Sequence, residues 1–170
     1  MRILRFILVS ILVLFLVTTF VFALFPSHIR VSRVIAVPAS KQKTAAVIGE
    51  LRTWNQWNRF AGDSALLNRQ FSSPSSGAGA WLQSGPVRIT LTSVSNDSIR
   101  CAWDQNNGSR FSGGFNMDQM DDNHCAVEWY FDFSFRWYPW DKLKSMFYDR
   151  QLGPVMENSL VDLKNYTGNH

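Results

Sequence analysis

From Cys125 to Phe135 the chain alternates apolar and polar residues without a break. Cys125, Val127, Trp129, Phe131, Phe133 and Phe135 fall on one face of an extended segment, and Ala126, Glu128, Tyr130, Asp132 and Ser134 on the other. A period of two predicts a long β-strand with one face in the core and one in water. Other segments repeat the pattern. Val87, Ile89 and Leu91 oppose Arg88, Thr90 and Thr92; Ile99, Cys101 and Trp103 oppose Arg100, Ala102 and Asp104; Phe111, Phe115 and Met117 oppose Ser112, Asn116 and Asp118. Turn signals separate these segments: Gly85-Pro86, Asn96-Asp97, Asn107-Gly108 and Asp121-Asp122-Asn123. Asn-Gly is a strong hairpin signal, because both central residues of a type I′ turn need positive φ. An antiparallel sheet with one broad apolar wall follows.

Before the hairpins, Ile29 to Val37 reads as a first strand. Ile29, Val31, Ile35 and Val37 share a face, and Arg33 breaks that face with a charge. Pro38-Ala39-Ser40 leads into a helix with Ser40 as N-cap, and Leu51 to Phe60 continues as a second short helix or turn. Residues 61–80 are rich in Ser, Gly and Ala and read as a mobile loop that enters a strand near Ala80 to Gln83. After the long strand, Pro139-Trp140-Asp141 starts a C-terminal helix with Asp141 as N-cap. Leu143, Met146, Phe147, Val155, Met156, Leu160 and Leu163 fall at helical spacing along it. Gly153-Pro154 predicts a kink there or a split into two helices.

The N-terminus differs in kind. Phe6 to Phe25 carries no charge, and only Ser10, Thr18 and Thr19 interrupt its apolar run. Such a run is long enough to cross a bilayer core of ~30 Å. It reads as an uncleaved anchor over residues 1–26 in preference to a signal peptide cut near Val21-Phe22-Ala23. Residues 27–170 then form one domain, placed outside the cytoplasm, since domains of this size translocate largely regardless of flanking charge.

Outside the anchor, fifteen Lys and Arg face thirteen Asp and Glu. That balance leaves no basic stripe for nucleic acid. Cys101 and Cys125 fall on apolar strand faces with one strand between them, so both are expected buried and unpaired. Asp122, His124 and Glu128 share parity, but on the wet face and without a second histidine; a metal site is not expected. Arg88, Arg100, Asp104, Asp118, Glu128 and Asp132 read as solvent-facing cross-strand pairs. Neither cysteine has a histidine on its own face, and no Gly-rich loop resembles a phosphate cradle. Asn96, Asn107 and Asn165 open N-glycosylation triplets, which count only in a eukaryotic secretory host. Trp137, Tyr138 and Trp140 suit either a bilayer surface or a hydrophobic staple at the helix start.

Val31-Ser32-Arg33-Val34-Ile35-Ala36-Val37-Pro38-Ala39-Ser40, with Leu51, Trp54 and Trp57 in a Leu-x-x-Trp-x-x-Trp spacing, resembles the opening of the polyketide cyclase/dehydrase branch of the START-like (SRPBCC) superfamily. Pro139 to Leu143, through Phe147 to Pro154, looks like the matching start of its C-terminal helix. The resemblance covers residues 29–166. It implies an α+β helix-grip fold, in which a curved antiparallel sheet wraps a long C-terminal helix around a hydrophobic cavity. The proline usual after the second tryptophan is replaced by Asn58-Arg59-Phe60.

These readings converge on a membrane-tethered domain that binds a hydrophobic or amphipathic small molecule, lipid-like in kind, without a cofactor. Its partners are that molecule and, through the N-terminal helix, a membrane. The expected cavity lining is Arg33, Trp54, Trp57, Ile89, Leu91, Trp103 and Phe111 from the first half of the domain. Phe115, Met117, Trp129, Phe131, Phe133, Phe147 and Leu160 complete it. Arg33 either orients a ligand's polar group or sends its stem to water from a bulge or edge. Trp54 and Trp57 either stack on ligand or clamp the short helices to the sheet. Two other readings stay open: a cyclase or dehydratase, which needs polar groups on the concave face, and a scaffold whose aromatic side chains fill the cavity.

Overall fold

The computed structural model describes residues 2–23, 28–62, 69–134 and 139–169. A helix, α1 (Arg2–Ala23), is followed by strand β1 (His28–Val37) and helix α2 (Lys41–Gly49). A 3-10 turn (Leu51–Thr53) and two short helices, α3 (Trp54–Trp57) and α4 (Arg59–Gly62), lead into six strands. These are β2 (Arg69–Phe71), β3 (Trp81–Ser84), β4 (Val87–Val94), β5 (Ser98–Gln105), β6 (Arg110–Asp121) and β7 (His124–Ser134). A long helix, α5 (Pro139–Asn169), ends the fold.

The strands form one antiparallel sheet in the order β1-β7-β6-β5-β4-β3-β2. Consecutive strands from β2 to β7 are neighbours, as the hairpin turns require, and β1 closes the far edge against β7. Phe115, Met117, Val127, Trp129 and Phe131 are buried on the inner face, while Glu128 and Asp132 lie between them on the outer one. Register keeps this alternation intact, with Val31 opposite Phe131 and Ile35 opposite Val127. Register shifts fall at two places, between Leu91 and Ser93 of β4 and between Gln119 and Asp121 of β6. Across the inner face lies α5, whose Met156, Leu160 and Leu163 are buried.

Local chemistry explains the ends of the elements. The Ser40 side chain caps α2 by accepting from Lys43 N at 3.4 Å. Glu50 accepts from Arg52 N at 3.1 Å and starts the 3-10 turn. Positive φ at Gly85 and Gly108 falls in two of the hairpin turns. Asn107 is not at positive φ, so the Asn107-Gly108 hairpin forms as expected but not through a type I′ turn. Gly108 N donates to the Gln105 carbonyl, and the loop takes four residues. On the outer face Arg30 pairs with Asp132 at 2.7 Å and lies 4.4 Å from the Tyr130 ring centroid.

Three further expectations change. The segment read as a loop over 61–80 contributes β2, three residues paired to β3 at the sheet edge. Its apolar content is too small to show a period of two. The helix α5 begins at Pro139, so Asp141 sits within its first turn and not at its cap. Of the two alternatives at Gly153-Pro154, the split does not occur: α5 continues through both residues. Packing of the flanking turns against the sheet outweighs the backbone bond that proline removes. Phe135, Trp137 and Tyr138 lie outside the described residues, as do the side chains of Trp140 and Phe147.

Candidate functional site

Four aromatic rings meet near one end of the sheet. Trp103 of β5 stacks on Phe111 of β6, with centroids 5.8 Å apart and planes 12° from parallel. Phe131 of β7 stands edge-on to both, at 5.2 and 5.5 Å. Phe60 of α4 closes the group from the helical side, 6.1 Å from Trp103 and 5.8 Å from Phe131. Between them, with Val87, Gln105 and Leu152, remains a pocket of about 110 Å³. Trp103 and Phe131 are 2% and 1% exposed and form its floor. Phe60, Val87, Gln105, Phe111 and Leu152 are half-buried and form its rim.

Two backbone features shape this space. Gly113 lies under the Phe131 ring, and a Cβ there would come within 2.6 Å of Phe131 Cδ1. The missing side chain lets the ring lie down across the strand. Asn58 opens the proline-free segment that follows Trp57. Its Oδ1 accepts from Phe60 N at 3.0 Å, and Arg59 N donates to Ser159 Oγ of α5 at 3.0 Å. This side-chain turn delivers Phe60 to the pocket without proline.

The residues expected to line a wide cavity divide into groups. Trp103, Phe111 and Phe131 line the pocket. Trp54, Trp57, Phe115 and Trp129 instead interlock deeper in the core, with Trp54–Trp57 centroids at 5.4 Å and Phe115–Trp129 at 5.1 Å. Trp54 Nε1 is satisfied by the Ile48 carbonyl at 2.7 Å, which fits a clamp. Ile89, Leu91, Met117 and Leu160 are buried in the same core. Phe133 stacks on Tyr148 at 4.6 Å. Among the described residues these rings pack against one another instead of lining the pocket.

Arg33 does not line the pocket. Its Nε donates to Glu157 Oε1 at 2.7 Å and its Nη2 to Asp149 Oδ1 at 3.0 Å, both on α5. Those carboxylates hold the guanidinium pKa above its ordinary value, Glu157 foremost. The charge on the inner face is thus answered by the helix that covers it. Phe60, Val87, Gln105 and Leu152 escaped the sequence reading. Val87 had already been placed on the inner face of its strand, which was the available signal; Phe60 and Leu152 come from helices whose facing needs the tertiary fold.

Chemically the pocket is almost all carbon. Gln105 is its one polar lining side chain among the described residues, and none of that lining titrates near neutral pH. The Trp103 indole Nε1 is buried without a hydrogen bond of good geometry. Burial pushes the Cys101 thiol up to about 12, opposed by a weaker interaction with that indole. Both cysteines are buried and free. No cluster of potential metal ligands occurs among the described residues. His124 instead pairs with Asp121 at 2.8 Å on the surface.

This arrangement, a curved sheet gripping a long helix over a carbon-lined pocket, defines an α+β helix-grip domain. The chain belongs to the family described as polyketide cyclase / dehydrase and lipid transport, whose pattern matches residues 28–168. Among curated proteins, none matches the sequence. Solved structures share the fold at low identity. A Thermobifida fusca protein superposes with TM-score 0.60 at 16% identity, covering 82% of this chain and 93% of that one. Norcoclaurine synthase from Thalictrum flavum, bound to a transition-state analogue, gives 0.62 at 10% identity over 84% of this chain and 96% of its own. A Staphylococcus aureus protein of unknown function gives 0.64 at 9% identity, over 84% and 94%.

Proposed function

We propose that this domain is a membrane-tethered binding module for a small hydrophobic or amphipathic molecule, received in the pocket between Trp103, Phe111, Phe131 and Phe60. The observation that carries the reading is the pocket's chemistry: carbon walls with the Gln105 amide at the rim. Burying ligand carbon there is worth ~25 cal/mol per Å². A pocket of about 110 Å³ falls short of the ~300 Å³ at which drug-sized sites begin. It lies nearer the engineered cavity of about 150 Å³ that takes benzene. An aromatic ring or the end of an alkyl chain fits; a whole polyketide does not. Acid–base catalysis needs a proton-transferring side chain, and the described lining offers none.

The tether in this reading is α1, whose Arg2–Val21 segment has a mean hydropathy of 2.6 and buries none of its residues against the rest of the fold. An exposed apolar helix calls for a nonaqueous surround. The filled core supports a second reading, a scaffold that binds nothing. Mass spectrometry of organic extracts from the purified full chain separates the two. A compound recovered with the wild type and lost with Val87→Trp, at unchanged melting temperature, is the expected result. Extracts identical for both proteins would establish the scaffold.

A further inference from the structure

Antiparallel pairing gathers one end of every strand at one end of the sheet. His28, which opens β1, faces Ser134, which closes β7. Asp104 of β5 faces Arg110, the first residue of β6. Val87 opens β4 opposite both Gln105 and Ser84, and Ser84 in turn faces Arg69, the first residue of β2. Val87, Gln105 and Phe111 of the pocket rim all belong to this end.

The same end receives the apolar helix. Ala23 closes α1 and His28 opens β1, so five residue steps join them, a reach of at most ~18 Å. The sheet is longer than that tether: β7 has 11 residues and spans roughly 35 Å. The end of α1 therefore lies near the pocket rim and out of reach of the opposite tips.

Charge points the same way. Near the pocket end the strands carry Arg30, Arg69, Arg88 and Arg110 against Asp104 and Asp132. Toward the other end the strands carry Asp118 and Asp121 against Arg100. The positive end is the one that an anionic leaflet attracts.

We infer that the pocket opens toward the bilayer holding α1, and that its ligand is a membrane-resident amphipathic lipid whose apolar end enters from the leaflet. This rests on the apolar-pocket and tether readings above and adds the source of the ligand and its direction of entry. The Gln105 amide, at the rim, then faces the polar part of the lipid while the four rings hold its carbon.

The test uses the full chain in vesicles of phosphatidylcholine with phosphatidylglycerol. A bimane fluorophore is attached to Asn106→Cys, in the β5–β6 turn at the pocket end, or to Asp122→Cys, in the β6–β7 turn at the other. Both positions are exposed, and both native cysteines are buried and spared by the label. Headgroup spin-labelled lipid should quench the fluorophore at 106 and leave the one at 122 bright. Equal quenching, or stronger quenching at 122, overturns the orientation whatever the pocket does. Recovery of the protein in the alkaline-carbonate supernatant overturns it as well. Val87→Trp in the Asn106→Cys background separates the two readings. It should keep the quenching and lose lipid from the organic extract. Quenching kept with the extract unchanged overturns the lipid assignment and the pocket's binding role while the orientation survives.

Discussion

The guanidinium of Arg33 packs against α5 at Gly153, where a Cβ would stand 3.2 Å from Arg33 Cζ and closer still to Nη2. Asp149 and Glu157, one helical turn to either side, take its Nη2 and Nε. A charge from the first strand is thus pinned across the last helix by a residue with no side chain. Asp149 and Glu157 are 62% and 59% exposed, so water screens much of the pairing. Arg33→Ala should cost about 1 kcal/mol by thermal or denaturant unfolding. It should leave the affinity for a pocket ligand unchanged. Loss of binding at retained stability would return Arg33 to the ligand site.

Gly153→Ala tests the same contact from the helix side. Alanine favours the helix by about 1 kcal/mol over glycine, and the guanidinium it displaces sits at the end of a flexible stem. The two effects oppose each other, so the melting temperature should stay close to wild type. Gly153→Leu, with more bulk than the stem can evade, should lower it clearly.

Much of this architecture is legible in residue order. Period-two alternation identifies β4 to β7 and their facing, because antiparallel strands with one wet face must alternate. Ser40 marks the start of α2 and Asn107-Gly108 a hairpin. The short β2 is not legible, since Arg69-Gln70-Phe71 is too brief to carry a period and pairs only at an edge. The site was legible in part: Trp103, Phe111 and Phe131 follow from strand facing alone. How much space remains between them does not. That depends on whether Trp54, Trp57, Phe115 and Trp129 pack tightly, a matter of ring geometry. Arg33 was legible as an anomaly; its answer sits 116 and 124 residues away in the chain.

Gly113 and Gly114 occupy opposite faces of β6, and alanine at each should fail differently. At 113 a Cβ meets Phe131 Cδ1 at 2.6 Å and the Tyr130 carbonyl at 2.8 Å. At 114 it meets the Ile99 carbonyl and the Tyr130 hydroxyl, on the outer face. Overpacking of this kind costs about 1–3 kcal/mol. Both variants should melt earlier, but only Gly113→Ala, by moving the Phe131 ring, should also weaken ligand binding. Equal effects on binding would mean that Phe131 does not shape the pocket.

Cys101 couples stability to alkaline pH. Burial holds its folded pKa at about 12, whereas an unfolded thiol ionises near ~8.5. Between these values the unfolded chain has lost its proton and the folded one keeps it, so unfolding gains as pH rises. Stability should fall by up to about 1.4 kcal/mol per pH unit in that window, and Cys101 should contribute no slope below it. Melts collected through the window should show a shallower decline for Cys101→Ala than for wild type. The native thiol should also resist alkylation at neutral pH and react once denaturant is added.

Binding in the pocket should be indifferent to pH across the range where histidine titrates, from about 5 to 8. The described lining is Phe60, Val87, Trp103, Gln105, Phe111, Phe131 and Leu152. None of these side chains exchanges a proton in that range, and burial of carbon has no charge to lose. Fluorobenzene, followed by fluorine NMR with Val87→Trp as the blank, suits a pocket of this size. Its dissociation constant should stay level from one end of the range to the other. A catalytic pocket would behave otherwise, because a general acid or base poised near neutrality bends such a profile as it ionises. A bell-shaped or sigmoidal curve in this titration, absent from the blank, would therefore place an ionising group beside the ligand and favour the cyclase reading over the binding module.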